Sequence, residues 1–257
     1  MIEGILARKT PFQDRHIIGD IIMRNGKKQG ILFFGGLGGG KKVKPNNLEI
    51  GKLYRITLKS PIKGDLAQTK EWQVKWSHET IRYHYWKFVL LNLICEIAWN
   101  SALPEDDIDG TSDEFNKGLY SVLSNGIFFL EHNKIPINDF HFLCFFLGKY
   151  FLDFGIYPQV ENCLSCEVNI PRFSPSFFDI EKSGFYCKKC SRPNELSVNV
   201  EHLRQTLIQS KTTSWKEFEI GTGEVKNSAE DLKVLINYIY YQLNLPQESF
   251  KAVKSIF

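Results

Sequence analysis

The sequence has no long uninterrupted run of apolar residues. Its two most apolar stretches, residues 86–99 and 140–154, are interrupted by lysine and acidic residues. Both are shorter than the roughly 18 residues that a membrane-spanning helix needs. The first residues also lack the apolar segment of a secretion signal. We therefore expect a cytoplasmic protein with no membrane-spanning segment.

Recognisable motifs of covalent catalysis are absent as well. No serine elbow or HExxH motif occurs, and the six histidines show no ligand spacing. Residues 35–41 read G-x-x-x-x-G-K, but a P-loop needs Ser or Thr next to ligate magnesium and a helix that begins there. Lys42 follows instead, and Pro45 would interrupt the first helical turn. We expect a protein that is not an enzyme, with a nucleotide-acting enzyme as the less favoured alternative.

The small net charge of +3 conceals an uneven distribution along the chain. Residues 1–78 contain 15 lysines and arginines and 6 aspartates and glutamates, which gives +9, whereas residues 79–257 contain 17 and 23, which gives −6. A basic segment of this kind attracts polyanions such as nucleic acids. A well-solvated basic surface without a ligand remains the alternative.

Residues 1–77 contain five short segments in which apolar and polar residues alternate, separated by Gly, Pro or Asn. This pattern predicts five strands, and without a long helical segment among them it favours a small barrel of the OB-fold type. The third predicted strand ends in Phe33 and Phe34, and the fifth places Trp72 and Trp76 on one face. These rings either stack nucleic-acid bases or fill the barrel core, and both interpretations are open.

From residue 78 onward, apolar residues recur at helical spacings, with Ser77 and Thr80 as candidate N-caps of the first helix. The period predicts helices over residues 78–99, 114–132, 137–155, 198–210 and 228–244. Residues 156–197 lack this period. We therefore predict an α+β multidomain protein with an OB-fold β-barrel domain (1–77) and an α-helical domain (78–257), which contains a four-cysteine insert (156–197).

Two C-x-x-C pairs, Cys163 with Cys166 and Cys187 with Cys190, are separated by 20 residues. A two-residue spacer lets one tight turn direct two sulfur atoms at the same point, and four thiolates form a tetrahedral zinc site. Disulfides are less favoured in a cytoplasmic protein. The sequence thus predicts one structural zinc ion, with a redox or iron–sulfur role as the alternative.

The order of these parts resembles that of the RecO family of bacterial recombination mediators. The resemblance rests on a basic barrel, then a helical domain, then four cysteines placed between its helices. Local similarity occurs at residues 4–8, 14–18, 26–27, 35–42, 154–158, 163–166, 184–190, 232–243 and 250–255.

The resemblance implies a protein of the bacterial nucleoid that binds single- and double-stranded DNA and anneals complementary strands. It also implies that the protein acts with RecR and single-stranded DNA-binding protein to help load RecA. Phosphate contacts would come from basic residues of the barrel and of the loop formed by residues 35–42. The candidates are Arg8, Arg15, Arg24, Lys27, Lys28, Lys41, Lys42 and Lys44.

A third hypothesis uses the same basic surface for a different partner. The barrel would bind acidic protein tails, and the protein would serve as a zinc-containing interaction adaptor. Binding of nucleic acid distinguishes this adaptor from the DNA-binding mediator.

Overall fold

The structure is a computed structural model that describes residues 1–37, 48–59, 66–104, 117–172, 174–191, 200–220 and 227–257. The chain divides into two compact units. The first unit contains Met1–Asn133 and Phe250–Ile256, and the second contains Lys134–Ser249 and Phe257. The predicted domain ranges 1–77, 78–257 and 156–197 stay predictions. Among the described residues, no helix is long and apolar enough to cross a membrane.

Five strands close a barrel in the first unit. Their order around the barrel is β1-β2-β3-β5-β4, and β4 pairs with β1 to complete the circle. Neighbouring strands are antiparallel except β3 and β5, which are parallel. This arrangement confirms the predicted OB-like barrel. The strands are β1 (Ile2–Phe12), β2 (His16–Met23), β3 (Lys28–Phe33), β4 (Leu53–Leu58) and β5 (Leu66–Trp76).

The barrel is filled by alternate side chains of its strands, as the period of two requires. Phe33 is fully buried, and the Trp72 ring packs against it edge to face at a centroid distance of 5.3 Å. Of the two interpretations of the barrel aromatics, core packing therefore applies to this pair. The buried core also contains Leu6, Ile17, Ile21, Ile31, Tyr54 and Ile56.

Two helices and two short 3₁₀ turns complete the first unit. The helices are α1 (Tyr85–Ser101) and α2 (Lys117–His132), and the turns are Ile81–Tyr83 and Lys251–Ser255. The Ala252 N–H donates to the Glu96 carboxylate of α1 at 2.9 Å. This bond attaches the C-terminal 3₁₀ turn to α1.

The start of the helical region differs from the prediction. Neither Ser77 nor Thr80 accepts a capping hydrogen bond with its side chain, and α1 begins only at Tyr85. Glu131 of α2 performs this role instead. Its carboxylate accepts the N–H groups of Glu79, Thr80 and Ile81 at 2.8–3.2 Å, and it also accepts the Thr80 hydroxyl.

The described residues of the second unit form three helices and a small sheet. The helices are α3 (His141–Phe154), α4 (Glu201–Thr212) and α5 (Ala229–Gln242). The sheet has the order β6-β8-β7 and lies within the residues predicted to be a non-helical insert. Its strands are β6 (Gln159–Cys163), β7 (Ser176–Asp179) and β8 (Gly184–Cys187). We call this sheet and its turns the cysteine ribbon.

Local signals account for the helix boundaries in the second unit. Helix α3 ends at Gly155, which adopts the left-handed conformation at φ 68° that glycine tolerates best. Helix α5 begins with a capping box: the Asp231 N–H donates to the Ser228 hydroxyl, and the Asp231 carboxylate accepts the Ser228 N–H. The stop at Gly155 agrees with the sequence prediction.

We predict that Glu131→Gln lowers the free energy of unfolding by about 1 kcal/mol at neutral pH, the usual effect of losing a charged cap. Burial raises the pKa of Glu131, but the N–H groups of Glu79 and Thr80 outweigh it and hold the pKa below its ordinary value of 4.5. The stabilisation is therefore present above that value and is lost as the pH falls through the lower folded-state pKa. Urea unfolding across a pH series measures the difference.

The matched control is Glu219→Gln, because Glu219 is an exposed glutamate of the second unit. Its substitution should change stability by less than about 0.5 kcal/mol at any pH. An equal effect of the two substitutions, or a Glu131 effect independent of pH, would contradict the capping role.

Candidate metal centre and nucleic-acid interface

Each C-x-x-C pair begins at the end of a strand. Cys163 is the last residue of β6, and Cys187 is the last residue of β8, its parallel neighbour. Tight turns follow, in which the Glu167 N–H donates to the Cys163 carbonyl at 2.9 Å and the Cys190 N–H donates to the Cys187 carbonyl at 3.0 Å. Since parallel strands end at the same edge of a sheet, both turns present their sulfur atoms at one place.

The four sulfur atoms form a compact group. The Sγ atoms of Cys163, Cys166, Cys187 and Cys190 all lie within 4.8 Å of one another, and the Cys166 and Cys187 sulfurs are 3.9 Å apart. A disulfide would require about 2.05 Å, and all four are free thiols. In the described part of the chain, no other group of histidine, cysteine or acidic residues is close enough to hold a metal ion. This quartet can do so.

The thiols of the quartet differ in acidity. Burial raises the pKa of Cys163, but N–H groups of Cys166 and Cys187 outweigh this effect and lower it to about 6. Hydrogen bonding with the thiols of Cys166 and Cys187 raises the pKa of Cys190 to about 12. Without a cation the group therefore shares protons, and a bound metal ion would replace them.

A buried arginine of α4 holds the cysteine ribbon through hydrogen bonds to its backbone. Arg204 is 1% exposed, and its guanidinium donates to the carbonyls of Val160 at 2.8 Å and Ile170 at 3.1 Å, and also to that of Pro171. Arginine suits this role because its planar group carries five donors in fixed directions. The guanidinium thereby fixes β6 and the following turn to α4. Arg204 was not among the predicted site residues, because an isolated arginine in a helix carries no local signal.

The ribbon also has an aromatic support within the second unit. Phe185 of β8 is fully buried and packs against Phe178 of β7 at a centroid distance of 4.9 Å. Phe178 in turn meets the ring of Tyr238 from α5 edge to face at 5.3 Å, and the Tyr238 hydroxyl donates to the Ile156 carbonyl at 2.6 Å. The ribbon is thus held by α4 and α5 as well as by its turns.

Two of the predicted DNA contacts converge on one tryptophan. A register shift in β1 between Leu6 and Arg8 places Arg8 opposite Asp20 of β2, where the two form an ion pair. The Arg8 guanidinium lies 5.4 Å from the centre of the Trp99 ring of α1, and the Lys28 ammonium lies 5.1 Å from it. Trp99 was not among the predicted site residues.

The other described candidates lie in turns of the barrel. Arg24 follows β2 and forms an ion pair with Glu3 at 2.7 Å, and Lys27 lies in the same turn. Arg15 is exposed in the turn between β1 and β2, and its carbonyl accepts the Leu37 N–H at 3.2 Å. Arg15 therefore lies beside the start of the loop predicted to contact DNA.

The last three predicted contacts follow the glycine-rich residues 35–40 in the sequence. Lys41, Lys42 and Lys44 lie outside the described residues. At the described end of the loop, the Phe34 ring contacts two basic side chains. The Lys59 ammonium lies 3.7 Å from its centre, and the His16 ring meets it edge to face at 5.1 Å. The assignment of the eight basic residues to DNA stays a prediction.

Comparison with protein families identifies the family to which residues 91–249 are similar. Residues 91–249 match the family described as "Recombination protein O C terminal". The chain belongs to the RecO family. The match covers the cysteine ribbon, α2–α5 and the second part of α1, whereas the barrel lies outside it and is identified by its own strand order. Membership makes this a protein of a recombination and repair family, and a comparison with curated proteins gave no match.

We predict that Arg204→Met destabilises the second unit by roughly 3 kcal/mol, because the buried carbonyls of Val160 and Ile170 and the partly buried carbonyl of Pro171 lose their donor while the side-chain volume is nearly kept. Chemical unfolding, followed by the near-ultraviolet signal of the aromatic residues, measures the loss. The control is Lys211→Met on the same helix, which removes the same charge from an exposed pair with Glu161. That change should cost less than about 1 kcal/mol. Equal losses would contradict the supporting role of Arg204.

Proposed function

We propose that the protein is a DNA-binding recombination mediator that catalyses no covalent reaction. It would bind single- and double-stranded DNA, anneal complementary strands, and help load RecA onto strands coated by single-stranded DNA-binding protein. The observation that carries this proposal is the combination of RecO family membership with a closed OB-like barrel in a segment of net charge +9. RecR, single-stranded DNA-binding protein and a cytoplasmic, nucleoid-associated location belong to the same proposal.

The proposed mechanism is electrostatic. Lysine and arginine side chains that neutralise phosphates release condensed counterions, which drives binding without reading the bases. Annealing requires this property, since a protein that holds two strands by their phosphates leaves the base edges available for pairing. The barrel supplies the rigid support, and its loops supply the contacts.

In this proposal the basic residues contribute unequally to phosphate binding. Arg8 and Arg24 each form an ion pair with a carboxylate of the barrel, so each pair presents less positive charge to a phosphate than an isolated cation does. Arg15 is exposed beside the loop that carries Lys41 and Lys42. We therefore assign the larger share of phosphate binding to this end of the barrel.

The metal in this proposal is zinc. Tetrahedral zinc with bonds of about 2.3 Å to sulfur places its ligands about 3.8 Å apart, and the Cys166 and Cys187 sulfurs are separated by 3.9 Å. With four thiolates the ion has no open position for water or substrate. Zinc would therefore stabilise the ribbon and would take no part in chemistry.

We predict that single-stranded DNA of mixed sequence binds tightly, with a slope of log affinity against log salt concentration of roughly −0.7 for each phosphate contact. Fluorescence anisotropy of a labelled strand over a salt series measures it. Reversing the charge of Lys41, Lys42 and Lys44 together should weaken binding by at least about tenfold at low salt and flatten the slope.

The matched control reverses three exposed lysines of the second unit, Lys134, Lys216 and Lys233, and so changes the net charge equally. If both triple variants bind alike, the loop is not the contact. If the unmodified protein fails to bind DNA even at low salt, the mediator proposal is wrong, and the adaptor for acidic protein tails replaces it.

For the metal, elemental analysis should find about one zinc ion per chain, and chelation should lower the melting temperature because the ribbon loses its central bonds. Cys163→Ser should remove the zinc, whereas Cys95→Ala, a change of a buried cysteine outside the quartet, should retain it. Two results would contradict a structural zinc site. One is protein that contains iron, and the other is metal-free protein whose melting temperature does not change when a chelator is added.

A further inference from the structure

A cavity of about 360 Å³ opens on the side of the barrel formed by β2 and β3. Its volume lies within the roughly 300–1,000 Å³ of small-ligand sites, which combine apolar walls with a few polar groups. The apolar walls here include Ile18, Leu66, Trp99 and Pro104, and the charged side chains that line it are Asp20 and Lys28. Of the residues that line it, Lys28 is also among the predicted phosphate contacts, whereas Asp20 and Trp99 are not.

The two charged groups are held in place. The Asp20 side chain is 7% exposed and is paired with Arg8. Lys28 donates to the Trp99 carbonyl at 3.1 Å. Burial raises the pKa of Asp20, partly offset by Arg8, and burial lowers the pKa of Lys28. The cavity therefore offers a fixed hydrogen-bond acceptor and a fixed donor in surroundings that are partly shielded from water.

The tryptophan adds a flat aromatic surface. Trp99 is half-buried, and its ring has the Arg8 and Lys28 cations within 5.4 Å of its centre. The Arg8 side chain, which is paired with the lining residue Asp20, is 57% exposed. These groups match the parts of a nucleotide. An aromatic ring can stack on the base, a hydrogen-bond donor and an acceptor can bind the base edge, and an exposed guanidinium can bind the adjacent phosphate.

We propose that this cavity binds one base of a DNA strand held on the barrel. The base packs against Trp99, Asp20 accepts an amino N–H of the base edge, and Lys28 donates to a ring nitrogen or carbonyl. Arg8 contacts the neighbouring phosphate. This inference rests on the proposed function, because it takes the barrel to be the DNA-binding surface and adds a specific anchor to its phosphate contacts.

The anchor has a consequence for the choice between DNA forms. A base of a single strand can enter the cavity after losing only its stacking, whereas a duplex must also break a base pair. The cavity therefore favours single strands over duplex. One occupied cavity reads one base in a longer bound segment, so the segment as a whole stays largely indifferent to sequence.

The test compares two labelled single strands of equal length, one with bases and one made of abasic nucleotides that keep every phosphate. Anisotropy at one salt concentration should show the full-length protein binding the strand with bases roughly tenfold more tightly, the effect of about one stacked base. Trp99→Leu should reduce this preference to nearly nothing, while Trp99→Phe should keep part of it. Trp215→Leu is the matched control, because Trp215 is a half-buried tryptophan of the second unit that does not line this cavity, and its substitution should leave the preference unchanged.

A second variant makes the inference testable even if Trp99→Leu fails to fold. The wild-type protein should prefer oligo-dC to oligo-dT several-fold, because the cytosine amino group donates to Asp20 where thymine presents a carbonyl. Asp20→Asn, whose amide can donate as well as accept, should remove this difference.

The outcomes separate this inference from the proposal beneath it. Equal affinity for the strand with bases and the abasic strand overturns the base-binding cavity while leaving the electrostatic mediator intact. Equal preferences in the wild type and in Trp99→Leu also overturn it. Failure to bind either strand at low salt overturns the mediator, and the cavity assignment with it.

Discussion

Short segments of this protein depend on charged side chains that come from distant helices and satisfy their backbone groups. The 3₁₀ turn before α1 is capped by Glu131, and the one near the C-terminus is capped by Glu96. The cysteine ribbon is supported in the same way by Arg204. Such segments are too short to satisfy their own N–H and C=O groups, and an unpaired buried group costs about as much as the hydrogen bond that it lacks. In these short segments, charged side chains therefore supply the hydrogen bonds that long helices and wide sheets form within their own backbone.

This dependence explains which parts of the fold the sequence reveals. Strands, helices and the two C-x-x-C turns follow from patterns within a few residues, so the OB-like barrel, the helical region and the quartet were predicted correctly. The capping contacts do not follow from local patterns. Glu131 lies about 50 residues along the chain from the N–H groups that donate to it, and Arg204 lies about 44 residues from Val160. The local interpretation of Ser77 and Thr80 as N-caps was wrong for this reason. Trp99 was missed likewise, since its position against Arg8 and Lys28 exists only after α1 packs on the barrel.

Charge counting has a similar limit. The value of +9 for residues 1–78 treats every cation alike, but the structure joins Arg24 and Arg55 to the single carboxylate of Glu3. Hydrogen bonds from these two arginines lower the pKa of Glu3, which keeps this three-residue cluster ionised and fixed on the barrel surface. Basic side chains within such clusters stabilise strand pairing as well as attracting polyanions. The attraction of such a barrel for a polyanion therefore depends on where its cations lie relative to its carboxylates, which the sequence alone does not show.

A protein that anneals strands must hold DNA firmly and still release its bases for pairing. Phosphate contacts alone meet the second requirement, but a strand held only by them can slide, since every phosphate is equivalent. A cavity that holds one base would stop the strand from sliding. Only that base would be unavailable for pairing, and the remaining bases would stay free. The fixed charges of Asp20 and Lys28 would suit this balance, because the few hydrogen bonds proposed between them and one base would break when a complementary strand competes for it. The barrel would then combine a broad electrostatic surface with one point of registration.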